Sequence, residues 1–144
     1  MGRQILGVCS LAVLLSLFAI PAAAHHSFGA EYDGTKPITL KGTVTRVEWT
    51  NPHSHFYLDV KDDKGHVVSW KLQGYTVNAL YRTGWKKDST IKAGDVVTVS
   101  GWRARDGSNS AHAREVTFSN GKTLFWGPPS GTGDGGNTPA VKTP

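Results

Sequence analysis

The chain has one cysteine in 144 residues, Cys9, and it sits inside the apolar N-terminal run. Downstream of it there is no thiol for a disulfide, a Cys-ligated zinc, a covalently attached haem or a thiol nucleophile, so the fold must stand on core packing. The sequence also lacks a Gly-x-Ser-x-Gly elbow, a phosphate-cradling glycine loop and a His-Glu-x-x-His pair, which removes the usual hydrolase and nucleotide-binding chemistries. Its one adjacent carboxylate pair, Asp62-Asp63, runs into Lys64-Gly65, a turn where Asp is favoured for backbone reasons. No internal repeat is visible. The net charge of +5 becomes +4 if Arg3 is removed with a leader. Acidic and basic residues are interspersed, so no polyanion-binding stripe forms and nucleic acid is not an expected partner.

What is present starts with Arg3, an apolar stretch from Ile5 to Ile20, and Pro21-Ala22-Ala23-Ala24. This is the three-part secretory signal. Cleavage after Ala24 satisfies the small-x-small rule, whereas a cut one residue earlier would put Pro21 at the upstream recognition position. The apolar run is shorter than the roughly 20 residues of a spanning helix. Cys9 precedes most of that run, where a lipoprotein cysteine would follow it. The expected organisation is a signal at residues 1–24, a leader of the mature chain at 25–37, one domain at 38–127 and a disordered Pro/Gly/Thr-rich tail at 128–144. No transmembrane segment is expected after processing.

Within the domain, Ile38, Leu40, Gly42 and Val44 alternate and then slip by one to Val47 and Trp49. A bulge near Thr45 and Arg46 accounts for the slip, because one extra residue swaps the faces of a strand. Phe56, Leu58 and Val60 define a second strand, and Asp62-Asp63-Lys64-Gly65 folds it onto a third carrying Val68, Trp70 and Leu72. Thr76 is placed to cap a short helix with Val77, Leu80 and Tyr81 on one face, stopped by Gly84. Strands from Val96 to Ala104 and from His112 to Phe118 follow, and Asn120-Gly121 signals a terminal hairpin with Leu124 to Trp126. Three meandering strands, one short helix and two more strands predict an all-β, OB-fold-like five-stranded Greek-key barrel with a C-terminal hairpin. The alternative is an open sandwich of the same strands. The expected inward set is Leu40, Val44, Phe56, Leu58, Val60, Trp70, Leu72, Leu80, Val97 and Val99.

The residue types that carry chemistry are histidines. Cleavage after Ala24 exposes His25-His26-Ser27-Phe28, and an N-terminal histidine offers a metal its α-amine and its own Nδ1 in one chelate ring. The segment Thr50-Asn51-Pro52-His53-Ser54-His55 supplies two more imidazoles, stiffened by Pro52. Strand alternation places His53 and His55 together on the face opposite Phe56, Leu58 and Val60, beside Tyr57. They read either as two ligands of one metal or as two surface histidines. His112 reads as a further ligand or as a satisfied, half-buried histidine, and His66 as a turn residue. Nitrogen-only ligation favours Cu(II) among the divalent first-row ions, so copper is the expected metal. Of the aromatics, Trp49 and Trp70 fall in phase with the core. Trp85 and Trp102, flanked by Lys86, Lys87, Arg103 and Arg105, are the candidates for an exposed stacking platform.

Ala24-His25-His26-Ser27-Phe28, Thr39-Leu40-Lys41-Gly42-Thr43-Val44, Glu48-Trp49-Thr50-Asn51-Pro52-His53, Gly84-Trp85, Gly94-Asp95-Val96-Val97-Thr98-Val99 and Ala113-Arg114-Glu115-Val116-Thr117 together resemble a domain-of-unknown-function family of small exported proteins from Gram-negative bacteria. The resemblance implies a periplasmic single-domain β-barrel protein and carries no assigned activity or catalytic residue. The residues themselves point to a monomeric copper-binding protein, a chaperone, buffer or assembly factor using His25, His26, His53, His55 and His112, with a periplasmic metal protein or a membrane complex as its partner. A module that binds a flat small molecule or a protein without metal is the alternative. Copper-dependent oxygen activation is a second one, although nothing in the sequence requires an enzyme.

Overall fold

The computed structural model describes residues 28–127. A four-residue helix, α1 (Phe28–Glu31), leads directly into the longest strand, β1 (Tyr32–Glu48). The strand therefore begins at Tyr32, ahead of the Ile38 expected from alternation. Asp33 accepts hydrogen bonds from both the amide and the hydroxyl of Thr35, and this turn-like stretch breaks the period that would have signalled the earlier start. Farther along, Val44 faces Leu58 and Arg46 faces Tyr57. Thr45 is thus the extra residue of the expected bulge, which keeps Val44 in the core while turning the strand.

The curl lets β1 serve two neighbours. Its first half pairs with β4 (Val96–Ala104) and its second half with β2 (His55–Lys61). Gly42 sits where the two ladders meet, and a Cβ there would run into the backbone carbonyl of Asp59. β3 (Val67–Gln73) returns antiparallel to β2 and then closes onto β5 (Ser110–Phe118) in a short parallel pairing of Lys71, Leu72 and Gln73 with Ser110, Ala111 and His112. The five strands thus form a closed ring in the order β1-β2-β3-β5-β4, with the helix α2 (Val77–Arg82) between the third and fourth strands. This is the arrangement of an OB-fold. Thr76 caps α2 by accepting from the Ala79 amide. β6 (Thr123–Phe125) hangs on β5 outside the ring, after a turn in which Gly121 takes a φ of 81°.

The main core contains Val44, Phe56, Leu58, Trp70, Leu72, Leu80, Val97 and Val99, as the alternation predicts. Leu40 and Val60 pack against its margin instead. The remainder is filled by Ala111, Ala113 and Val116 of β5 and by Trp85, Ile91 and Trp126 from irregular segments. This corrects the reading of Trp85 and Trp102 as an exposed platform, since both are only 2% exposed. Trp85 meets Trp126 edge-on at 4.8 Å and donates its Nε1–H to the Phe125 carbonyl at 2.7 Å. Neighbouring Lys86 and Lys87 remain exposed, because side chains adjacent in an irregular segment need not share a side. Trp102 belongs to a second, smaller cluster described below. Among the described residues, no helix is long and apolar enough to cross a membrane.

Candidate functional site

The parallel seam between β3 and β5 is where the predicted histidines come closest to forming a site. His112 stands on β5 with Gln73 of β3 as its register partner. The next residue, Gly74, turns its carbonyl to His53, whose Nδ1 lies 3.0 Å away. A carbonyl only accepts, so Nδ1 of His53 carries the ring proton and the lone pair of the neutral ring is on Nε2. A carbonyl holding one imidazole nitrogen so that the other can coordinate is the usual outer support of a metal-bound histidine. The Asn51–Pro52 peptide ahead of His53 is cis, and Asn51 Oδ1 accepts from the Val77 amide, tying this turn to the start of α2.

His112 is 8% exposed, and burial pushes its pKa down to about 4, with a smaller contribution from His53 nearby. It is therefore a neutral imidazole at ordinary pH. Its Nε2 is fully buried and has no hydrogen-bond partner among the described residues. The ring is boxed by aromatics, with Phe28 edge-on at 5.2 Å, Tyr32 at 5.4 Å and Trp102 at 6.4 Å between centroids. Phe28 also meets Trp102 edge-on at 5.5 Å, and Tyr32, Trp102 and Ala104 form with it a cluster separate from the main core. Burial, followed by the charge of Glu31, raises the Tyr32 hydroxyl to about 12. On the remaining side, a Cβ placed on Gly127 would lie 2.8 Å from His112 Nε2 and would run into the Ala113 carbonyl, so only glycine lets the chain pack this closely against the imidazole.

The leader is attached at this end of the ring. Arg105 donates its Nε–H to the Gly29 carbonyl at 2.8 Å, and its amide to the Glu31 carbonyl at 2.9 Å. Its guanidinium also lies 4.0 Å from Asp33, which Lys36 approaches at 3.5 Å. The start of the described chain is therefore held beside His112 and does not trail away from the ring.

The structure divides the sequence candidates. His53 and His112 both lie at the seam, close enough for His53 to act electrostatically on His112. His55 opens β2 and faces outward, where it hydrogen-bonds with Gln73 and has its pKa lowered by partial burial and then by Lys71. Alternation does not extend to His53, because the residue precedes the strand and its direction is set by Gly74. His66 is exposed and 3.2 Å from Asp62 across the hairpin turn. His25 and His26 lie outside the described residues. Among the described residues, no group of three His, Cys, Asp or Glu side chains is placed to hold a metal. Sequence reasoning missed Phe28, Tyr32 and Gly127 as parts of this site. Periodicity carries no signal for them, since one lies in a four-residue helix, one at the unpredicted start of β1 and one beyond the last strand.

No curated protein matches the chain. Residues 13–113 match a family of unknown function, DUF6152, a span that takes in the leader, the bulged strand, the Asn-Pro-His turn and His112, and the chain belongs to that family.

Proposed function

We propose that the protein is a periplasmic copper-binding protein, a chaperone, buffer or assembly factor, that holds Cu(II) through the α-amine and imidazole of His25 together with His53. The observation that carries this reading is the His53–Gly74 hydrogen bond, which fixes the proton on Nδ1 and directs coordination to Nε2. The leader supports it. Phe28 is packed at the same end of the ring, and three residues of extended chain reach at most about 10 Å, so a mature N-terminus at His25 is tethered within range of the seam. Two nitrogens from one terminal residue and one from a fixed imidazole make a nitrogen-rich site of the kind Cu(II) prefers.

The test is copper titration of protein whose N-terminus has been confirmed as His25 by intact mass. Its EPR spectrum and affinity are compared with those of a version carrying one extra residue before His25, and of His53→Ala. Both changes are expected to weaken binding and alter the spectrum. If the extra residue changes neither, the terminal chelate is wrong. Oxygen consumption with a reductant separates an oxygen-activating enzyme from a carrier, which should instead hand its metal to an acceptor.

A further inference from the structure

β5 pairs with β3 only at Lys71, Leu72 and Gln73. Val67, Val68 and Ser69 therefore have β2 on one side and no strand on the other among the described residues. The backbone groups left over follow from the antiparallel ladder, in which hydrogen-bonded and non-hydrogen-bonded pairs alternate. Asp62 donates its amide to the His66 carbonyl at 2.8 Å. Counting from there along the register, Val60–Val68 and Leu58–Trp70 are hydrogen-bonded pairs, whereas Lys61–Val67, Asp59–Ser69 and Tyr57–Lys71 are not. Val67, Ser69 and Lys71 thus turn their N–H and C=O groups away from β2. Lys71 shows the direction: its amide donates to the Asn109 carbonyl at 3.0 Å, and its carbonyl accepts from the Ser110 hydroxyl at 3.2 Å. Val67 and Ser69 share that orientation and have no backbone partner among the described residues.

We infer that this edge takes an extended acidic segment of a partner protein as an added strand, in line with β5. A row of free N–H and C=O groups is the template for strand addition, in which main-chain hydrogen bonds give affinity and alternate side chains give selectivity. The surroundings define the segment. On one face stands Val67, 57% exposed, which suits an apolar side chain. On the other, Trp70 carries the Arg103 guanidinium 5.4 Å from its ring centroid. Arg103 donates to the Gly107 carbonyl, and neither Arg103 nor Lys71 has a carboxylate partner among the described residues. The carboxylates around the edge are engaged locally: Asp59 accepts from the Ser69 hydroxyl, Asp62 from the Lys64 and His66 amides, and Asp106 from the Ser108 amide. Two cations without a counter-charge favour a carboxylate in the incoming strand, placed opposite Val68 with apolar neighbours beside Val67. So short an edge makes the contact a transient one, and it is independent of the copper reading.

The experiment titrates 15N-labelled protein with the synthetic peptide acetyl-Thr-Val-Glu-Val-Thr-amide. Control peptides replace its Glu by Lys, or both its Val by Pro, which cannot donate to the edge. The Val67 and Ser69 amides should shift to saturation and exchange more slowly with solvent, and both controls should bind at least about tenfold more weakly. Val67→Pro should remove binding without loss of a ladder bond, because β2 does not use that N–H. Arg103→Gln should erase the preference for Glu over Lys. Absence of binding, shifts that spare Val67 and Ser69, or equal binding of the Pro peptide overturns the added strand. An unchanged preference in Arg103→Gln overturns the acidic selectivity. If the two amides are already protected without peptide and lose that protection on dilution, the edge pairs with a second copy and the partner reading is wrong. Should Val67→Pro not fold, the exchange rates of the two amides in the parent, with each peptide in turn, decide by themselves.

Discussion

The two hydrophobic clusters of this molecule are built by different rules. The main one, lined by Phe56, Leu58, Leu72, Val97 and Val116, closes the ring with side chains taken at every second position of its strands. The buried donors it leaves unpaired are the indole N–H groups of Trp49 and Trp126, which can donate a hydrogen bond but cannot ligate. The small one, Tyr32, Trp102 and Ala104 with Phe28, surrounds an imidazole whose buried nitrogen can accept, donate or coordinate. The second spends three ring systems on holding one titratable group still, and that asymmetry marks the β3–β5 seam as the place to look for function.

The comparison is most sharply broken in the main core. Leu58 is 0% exposed between Val44 and Trp70 in register, so Leu58→Asp places an unpaired carboxylate in a dry interior at a cost of several kcal/mol against a typical total of roughly 5 to 15. Loss of the cooperative thermal transition is expected. A soluble, native-like variant would mean that the faces of β2 are reversed.

The next largest effect belongs to the seam and is driven by pH. The pKa of His112 is about 4 in the folded state, against an ordinary value of 6.5, so between these values the unfolded chain binds the extra proton. Stability of the metal-free protein should be at its full value above pH 6.5 and fall as pH drops toward 4, by about 3 kcal/mol for a shift of this size. Denaturant midpoints measured across that window should lose this slope in His112→Gln. An identical slope in both proteins would place the acid sensitivity elsewhere.

Truncating the leader anchor should cost less. Phe28 is only partly buried, so Phe28→Ala is expected to lower stability by about 1–2 kcal/mol and to quench or shift Trp102 emission while leaving the main core transition cooperative. If Trp102 fluorescence does not respond, the small cluster does not depend on the leader. The smallest effect is expected at His55→Gln, whose side chain sits on the outer face of β2. A change within about 0.5 kcal/mol in chemical denaturation is anticipated there, and a larger one would give the outer face a structural role it does not otherwise show.

Reading the sequence located the ring because its signals are local. Alternation in Phe56-x-Leu58 and Val97-x-Val99, the slip that becomes the Thr45 bulge and the Thr76 cap each depend on residues within a few positions of one another. Alternation failed where the chain stops being periodic. Trp85 and Trp102 looked exposed because their neighbours are Lys and Arg, although one indole turns into the main core and the other into the small cluster. His53 looked like a partner of His55 because they are two positions apart, yet His53 lies outside β2 and is aimed by Gly74, a residue 21 positions away.

What the sequence by itself determined, then, was the strand order, the bulge, the short helix and a pool of histidines in a chain without thiols beyond Cys9, since each follows from spacing and residue type. Tertiary structure alone decided which histidines meet. His53 and His112 are separated by three strands and a helix in the chain, and only the parallel closure of β3 onto β5 sets Gln73 and Gly74 between them. Pairing of this kind depends on long-range register, and the small cluster forms only once β1 and β4 have brought Tyr32 and Trp102 to the same side of that closure. No local pattern encodes such a meeting.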